Sequence, residues 1–202
     1  MSDMLITAIE ERKKGMSALF IDGEYAVSID AVTLISSGKK TGSEITDDEL
    51  YSLLEDSKLA RAKEKALYLI EYRARTRREL EDKLIPLFGE NAAEGAISRL
   101  EELGLINDEE FAREYAEQLI ERKHFSEKRA VFELVKKGID KHLAEEIVSE
   151  LESDPVQQIQ ALLETKYSRN LEDEKGIQRT INGLRSMGFS WYDIKDAMSG
   201  YI

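Results

Sequence analysis

The sequence predicts a mainly α-helical protein: three tandem three-helix repeats forming an elongated curved array, with a small N-terminal antiparallel β element. Three observations predict it. Helix-start signals recur along the chain after Ile45, each an Asn, Asp, Ser or Thr ahead of an apolar periodic run. Core positions and helix-ending glycines come back into register when the chain is shifted by fifty residues. Charged residues make up 35% of the 202 residues, more than one compact sphere needs and what an array of small units with thin cores requires.

Before the helices, Ile6 to Glu11, Ser17 to Asp22 and Tyr25 to Ile29 carry the β-branched and aromatic content of short strands. Lys13-Lys14-Gly15 and Asp22-Gly23-Glu24 separate them, and Asp-Gly is a strong hairpin signal. A short helix is expected near Ala31 to Ser36. The glycine- and lysine-bearing loop Ser37 to Gly42 lacks the spacing of a phosphate-binding P-loop.

Thr46-Asp47-Asp48-Glu49 reads as a capping box, its hydroxyl accepting an amide while Glu reaches back. The long helix it opens runs through Leu53, Ala66 and Ile70 and ends near Arg73. Thr76 to Glu79 is a second box, ahead of Leu80, Leu84 and Leu87. Asn91 is expected to open the next helix, Asn107 the one after, and Asp154-Pro155 another with proline at its first position. Ser190 to Asp193 opens the last. In the fifty-residue register Leu84, Leu134 and Leu184 align, as do Leu80, Ala130 and Thr180, and Ile97, Ile147 and Ala197. Gly138-Ile139-Asp140 lies over Gly188-Phe189-Ser190, each a helix end, an apolar residue and a new cap. Leu87 to Asn91 is the same device displaced by one residue. The expected segments are 1–45, a hairpin and short helix; 46–106, the long helix and first repeat; 107–153 and 154–202, the second and third repeats.

The sequence holds no catalytic constellation. No cysteine is present, which excludes disulfides and thiolate metal sites. His124 and His142 have no partners at ligand spacing, and Glu101-Glu102 and Glu145-Glu146 point apart as adjacent helix residues. Serine-hydrolase, P-loop, zinc-protease and dinucleotide fingerprints are missing. The reading is therefore a non-enzyme with no cofactor or metal. No apolar run approaches the length of a membrane span and the first residues lack a secretory pattern, so a cytoplasmic protein without membrane contact is expected; the chain is also expected to be a monomer.

Net charge is −12, unevenly spread. Residues 1–60 carry six basic and twelve acidic residues, 61–106 nine of each, 107–154 eight and fourteen, and 155–202 six of each. Such a chain meets a polyanion over a narrow track only. Arg73, Arg75, Arg77 and Arg78 gather where one helix ends and the next begins. Arg73 is placed for the carbonyl end of its helix, whereas Arg77 and Arg78 fall in a first turn, where the dipole disfavours cations. Arg122-Lys123, Lys128-Arg129 and Lys136-Lys137 sit at or near comparable places in the second repeat, and the last two pairs join the four arginines as candidates. These eight residues are the candidate contacts, suited to a phosphate backbone or an acidic protein surface. Most of the interleaved aromatic residues, Phe125, Phe132 and Trp191 among them, are expected to be core anchors.

The run Ala66 to Leu80 resembles the opening signature of the RecX family, Leu103 to Ala112 its second and Glu133 to Ile139 its third. The order and spacing of the three, over Ala60 to Ile202, carry the likeness. The resemblance implies helical repeats and a regulator of the RecA recombinase, acting in DNA repair, recombination and the SOS response. Such a protein binds the RecA–DNA filament along its groove and damps strand exchange, ATP hydrolysis and co-protease activity; single-stranded DNA would be met mainly through the filament. By resemblance Arg73, Arg75, Thr76 and Glu79 fall on the first signature, and Lys137 and Gly138 on the third. Where the family often has Gly-Pro ahead of the second repeat's middle helix, this chain has His124-Phe125-Ser126, and Ser126 can still cap that helix. The competing reading is an autonomous helical DNA-binding regulator, since short helix pairs with basic first turns also suit a major groove.

Overall fold

In the computed structural model, residues 4–201 are described, and they fall into two compact units, 4–106 and 107–201. In the first, β1 (Met4–Arg12), β2 (Met16–Ile21) and β3 (Glu24–Asp30) form an antiparallel meander. The turns close as the dipeptides require: Lys14 and Gly15, and Asp22 and Gly23, all adopt positive φ, matching the right-handed twist of the strands they join. The short helix α1 (Ala31–Ser36) is capped by Asp30, which accepts the Thr33 N–H at 2.9 Å. A fourth strand, β4 (Glu44–Ile45), pairs with the outer edge of β1 and gives the order β3-β2-β1-β4. A two-residue strand has no periodicity to read, so the sequence did not announce it.

The hairpin is held by α2 (Asp47–Tyr72), the long helix opened by the Thr46 capping box. Its first half packs Leu53 into a core with Ile6, Leu19, Ile21, Ile29, Leu34 and Ile45, and Ser57 Oγ accepts the Asp30 N–H at 2.7 Å. Its second half presents Ala62, Ala66 and Leu69 to α3 (Arg77–Phe88) and α4 (Glu90–Glu102). Small residues, Ala62 against Ala92 and Ala96, let α2 and α4 approach closely; the α4 residue Gly95 lies against Leu59 of α2. One helix thus serves two cores. The α3–α4 corner differs from expectation: Gly89, at φ +84°, ends α3 and α4 starts at Glu90 without a side-chain cap, so Asn91 lies inside the helix. Glycine already reverses the chain there.

In the second unit, α5 (Asp108–Glu117), α6 (Glu127–Lys136) and α7 (Lys141–Ser149) form the second repeat. The third comprises α8 (Pro155–Thr165), α9 (Glu174–Ser186) and α10 (Trp191–Ala197). Asn107, Ser126, Asp140, Asp154 and Ser190 cap these helices as the sequence indicates. Leu84, Leu134 and Leu184 are fully buried, as are Leu80, Ala130 and Thr180. Thr180 meets its polar need by donating to the Gly176 carbonyl at 3.0 Å. Ile97 and Ile147 are buried and Ala197 half-buried. Two departures from even repetition occur. α9 begins a turn early, capped by Asp173. After α5 the chain widens into one π-helical turn, Gln118–Arg122, which turns both Leu119 and Ile120 into the core. No helix among the described residues is long and apolar enough to cross a membrane.

Candidate functional site

The arginine run has been divided by the fold into structural and free members. Arg75, not Arg73, serves the end of α2: its Nε donates to the Leu69 carbonyl at 3.1 Å. Arg73 turns the other way and donates both terminal nitrogens to the Glu79 carboxylate, at 2.9 and 3.0 Å. It also donates to its neighbour's carbonyl, Ala74, at 2.7 Å. The reason is local geometry. Arg73 is the extended residue that ends α2, so its side chain leaves the helix axis and meets the first turn of α3.

Arg77 sits among three carboxylates. Nε donates to Glu81 at 2.9 Å, Nη1 to Glu101 at 2.6 Å, and Nη2 to Glu94. The hydrogen bonds it donates to Glu94 and Glu101 hold its guanidinium charged well above the ordinary range, and Arg77 holds the Glu94 carboxyl below its own. The cost of a cation in a first turn, read from the sequence as a sign of a ligand, is offset from within the chain. Arg78, one position on, is exposed and pairs with no carboxylate among the described residues. Thr76, fully buried, accepts the Glu79 N–H at 3.2 Å and fixes where α3 begins.

In the second repeat, Lys128 and Lys136 are exposed on α6 and make no ion pair among the described residues. Arg129 pairs with Glu133 at 2.6 Å and lies between two rings, 5.6 Å from Phe125 and 5.3 Å from Phe132. Lys137 lies 5.9 Å from the Tyr115 ring, and Lys123 5.4 Å from it. Phe132, expected in the core, is 56% exposed and belongs to this surface instead. Lys128, Arg129 and Phe132 share an open groove with Arg185, Gly188 and Phe189 of the third repeat. Arg185 was not among the sequence candidates. A signal for it existed: a basic residue shortly before a helix-ending glycine, as Lys136 and Lys137 precede Gly138.

The four residues of the first repeat and the four of the second lie in different units, and within each unit only some are free. No group of three or more His, Asp or Glu among the described residues could hold a metal ion. His124 takes a left-handed backbone, φ +53°, at the place where the resembled family often has glycine. Phe125 then donates its N–H to the Leu119 carbonyl at 2.9 Å, and Ser126 caps α6.

Capped short helices in a repeating register, carrying exposed cations on their surface, define a helical-repeat protein. The chain belongs to the RecX family. Residues 62–100 match the model of the RecX first three-helix domain and residues 107–147 that of the second. It is 31% identical to the regulatory protein RecX of Caldanaerobacter subterraneus subsp. tengcongensis, over 97% of this chain and 99% of that one. It is 28% identical to that of Clostridioides difficile, over 96% and 94%. Among solved structures, RecX from Lactobacillus salivarius superimposes with a TM-score of 0.60 at 29% identity, over 71% of this chain and 96% of that one. A crystal structure of a regulatory protein RecX shares the fold, with a TM-score of 0.64 at 23% identity over 96% and 99%.

Proposed function

We propose that this protein binds the RecA–DNA filament and restrains it, lowering recombinase, ATPase and co-protease activity without chemistry of its own. The observation that carries the reading is likeness to curated RecX regulators along nearly the whole chain, the N-terminal segment included. The exposed cations Arg78, Lys128 and Lys136 supply contact charge, with Arg129 and Lys137 beside them. Arg73, Arg75 and Arg77 hold the α2–α3 corner that presents Arg78. A unit repeated three times offers similar surfaces to successive protomers of a helical filament.

The test is the rate of ATP hydrolysis by RecA from the same source on single-stranded DNA, with this protein titrated in. Inhibition far below one protein per RecA protomer supports capping or disassembly; inhibition only near saturation supports coating of the groove. An unchanged rate at excess, together with salt-sensitive duplex binding, would replace the proposal with an autonomous DNA-binding regulator.

A further inference from the structure

The N-terminal sheet brings the Lys14 turn over the middle of α2, next to the last turn of α3, and the three elements line an open groove. Lys14, Arg61 and Lys65 contribute three cations there against one acid, Glu64, in a chain with 41 acidic and 29 basic residues. Lys14 and Lys65 pair with no carboxylate among the described residues. Arg61 reaches Glu64 at 3.8 Å and donates an Nη1 N–H to the Met16 sulfur, while its Nε is buried without a hydrogen-bond acceptor. Beside these charges the groove is apolar and open: Tyr68 is 64% exposed, Leu87 62%, and Phe88 lies half-buried behind them. Large apolar side chains left in water next to two lysines without a carboxylate are a surface that wants a partner.

We propose that this groove binds an acidic segment of a partner protein, seating an apolar side chain on Tyr68, Leu87 and Phe88 while its carboxylates meet Lys14, Arg61 and Lys65. Peptide is favoured over nucleic acid by two features. The Lys65 ammonium stands 4.8 Å from the Tyr68 ring centroid, so one face that a base would stack on is occupied. Leu87 is aliphatic and suits a leucine or phenylalanine better than a flat polar base. The chain's charge of −12 adds repulsion that grows with a ligand's length, so a short acidic peptide meets far less of it than a nucleic-acid strand does. The groove also gives the β element a role: its first turn supplies Lys14, and α2 alone would present no walled cleft. The inference does not rest on the filament reading.

The experiment uses the full chain and a fluorescein-labelled synthetic peptide of glutamates around a central Leu-Phe pair, followed by fluorescence anisotropy. Two controls accompany it: the same peptide with Gly-Gly at the centre, and oligothymidylate. Expected are saturable binding that weakens with added salt, and weaker binding of the Gly-Gly peptide. Lys14→Glu with Lys65→Glu should lower affinity about tenfold or more, and Leu87→Ser should weaken it through the apolar floor. All three positions have exposed or half-buried side chains, and unchanged circular dichroism of the variants checks that they fold; Lys14→Gln with Lys65→Gln serves if the reversal does not. Absence of peptide binding, or equal binding by the variants, overturns the proposal. Tighter binding of oligothymidylate, lost in the same variants, would overturn it in favour of a nucleic-acid groove.

Discussion

The backbone N–H of Ser126 donates to the carbonyl oxygen of Met187 at 3.0 Å, joining the cap of α6 to the end of α9. That bond lets consecutive repeats sit backbone to backbone, and it requires Gly188. At φ +93°, a Cβ at that position would lie 2.5 Å from Ser126 Oγ and 2.7 Å from Arg129 Cβ.

Gly188→Ala should therefore cost at least about 2 kcal/mol, from left-handed strain and steric overlap together. Shortening Ser126 to glycine in the same chain should recover little, because the strain and the Arg129 overlap remain. Thermal unfolding of the two variants checks this. A loss below 0.5 kcal/mol on denaturant titration would mean that the close approach carries no weight.

Arg77→Ala should destabilise by about 1–2 kcal/mol at low salt and less at high salt, since it leaves Glu81, Glu94 and Glu101 facing one another. Lysine should restore only part, because one ammonium cannot reproduce three directed guanidinium contacts.

The same cage predicts a pH dependence. Arg77, and then Ser98, hold the Glu94 carboxyl below its ordinary value of 4.5. A depressed carboxyl contributes stability that is present above 4.5 and lost as pH falls through its lowered value. The gap in Tm between the parent protein and Arg77→Ala should thus be widest above pH 4.5 and narrow below it. A gap that widens on acidification would contradict this arrangement.

Arg78→Glu should leave helicity and Tm unchanged while weakening inhibition of RecA ATP hydrolysis several-fold. Arg75→Glu should do both kinds of harm, because it also removes the donor to the Leu69 carbonyl. Equal loss of helicity in the two variants would show that Arg78 is structural after all.

Thr76→Ala should cost about 1 kcal/mol or somewhat more, since the lost hydroxyl is a buried helix cap. Asn107→Ala, at an exposed cap, should cost less. Comparing the two by denaturant titration separates capping from burial.

The sequence by itself determined the elements that depend on short-range chemistry. The Thr46, Asn107, Asp140, Asp154 and Ser190 caps and the Lys-Gly and Asp-Gly turns each follow from residues within a few positions of one another, where chain entropy leaves few alternatives, and the core layers follow from the fifty-residue repeat of those units. The RecX likeness was legible for the same reason, because the signatures fall on those caps and cores. Which arginine stays exposed without a carboxylate was not legible. Arg73, Arg75, Arg77 and Arg78 look alike in sequence, and only the return of α4 beside α3 brings Glu94 and Glu101 to Arg77. Arg185 joined the Lys128–Arg129 groove, and Lys14 the α2–α3 groove, through contacts that span long stretches of chain. Tertiary packing alone decided which charges are answered inside the molecule and which are left to solvent, because Coulomb and hydrogen-bond pairing act over a few ångströms in space whatever the separation in sequence.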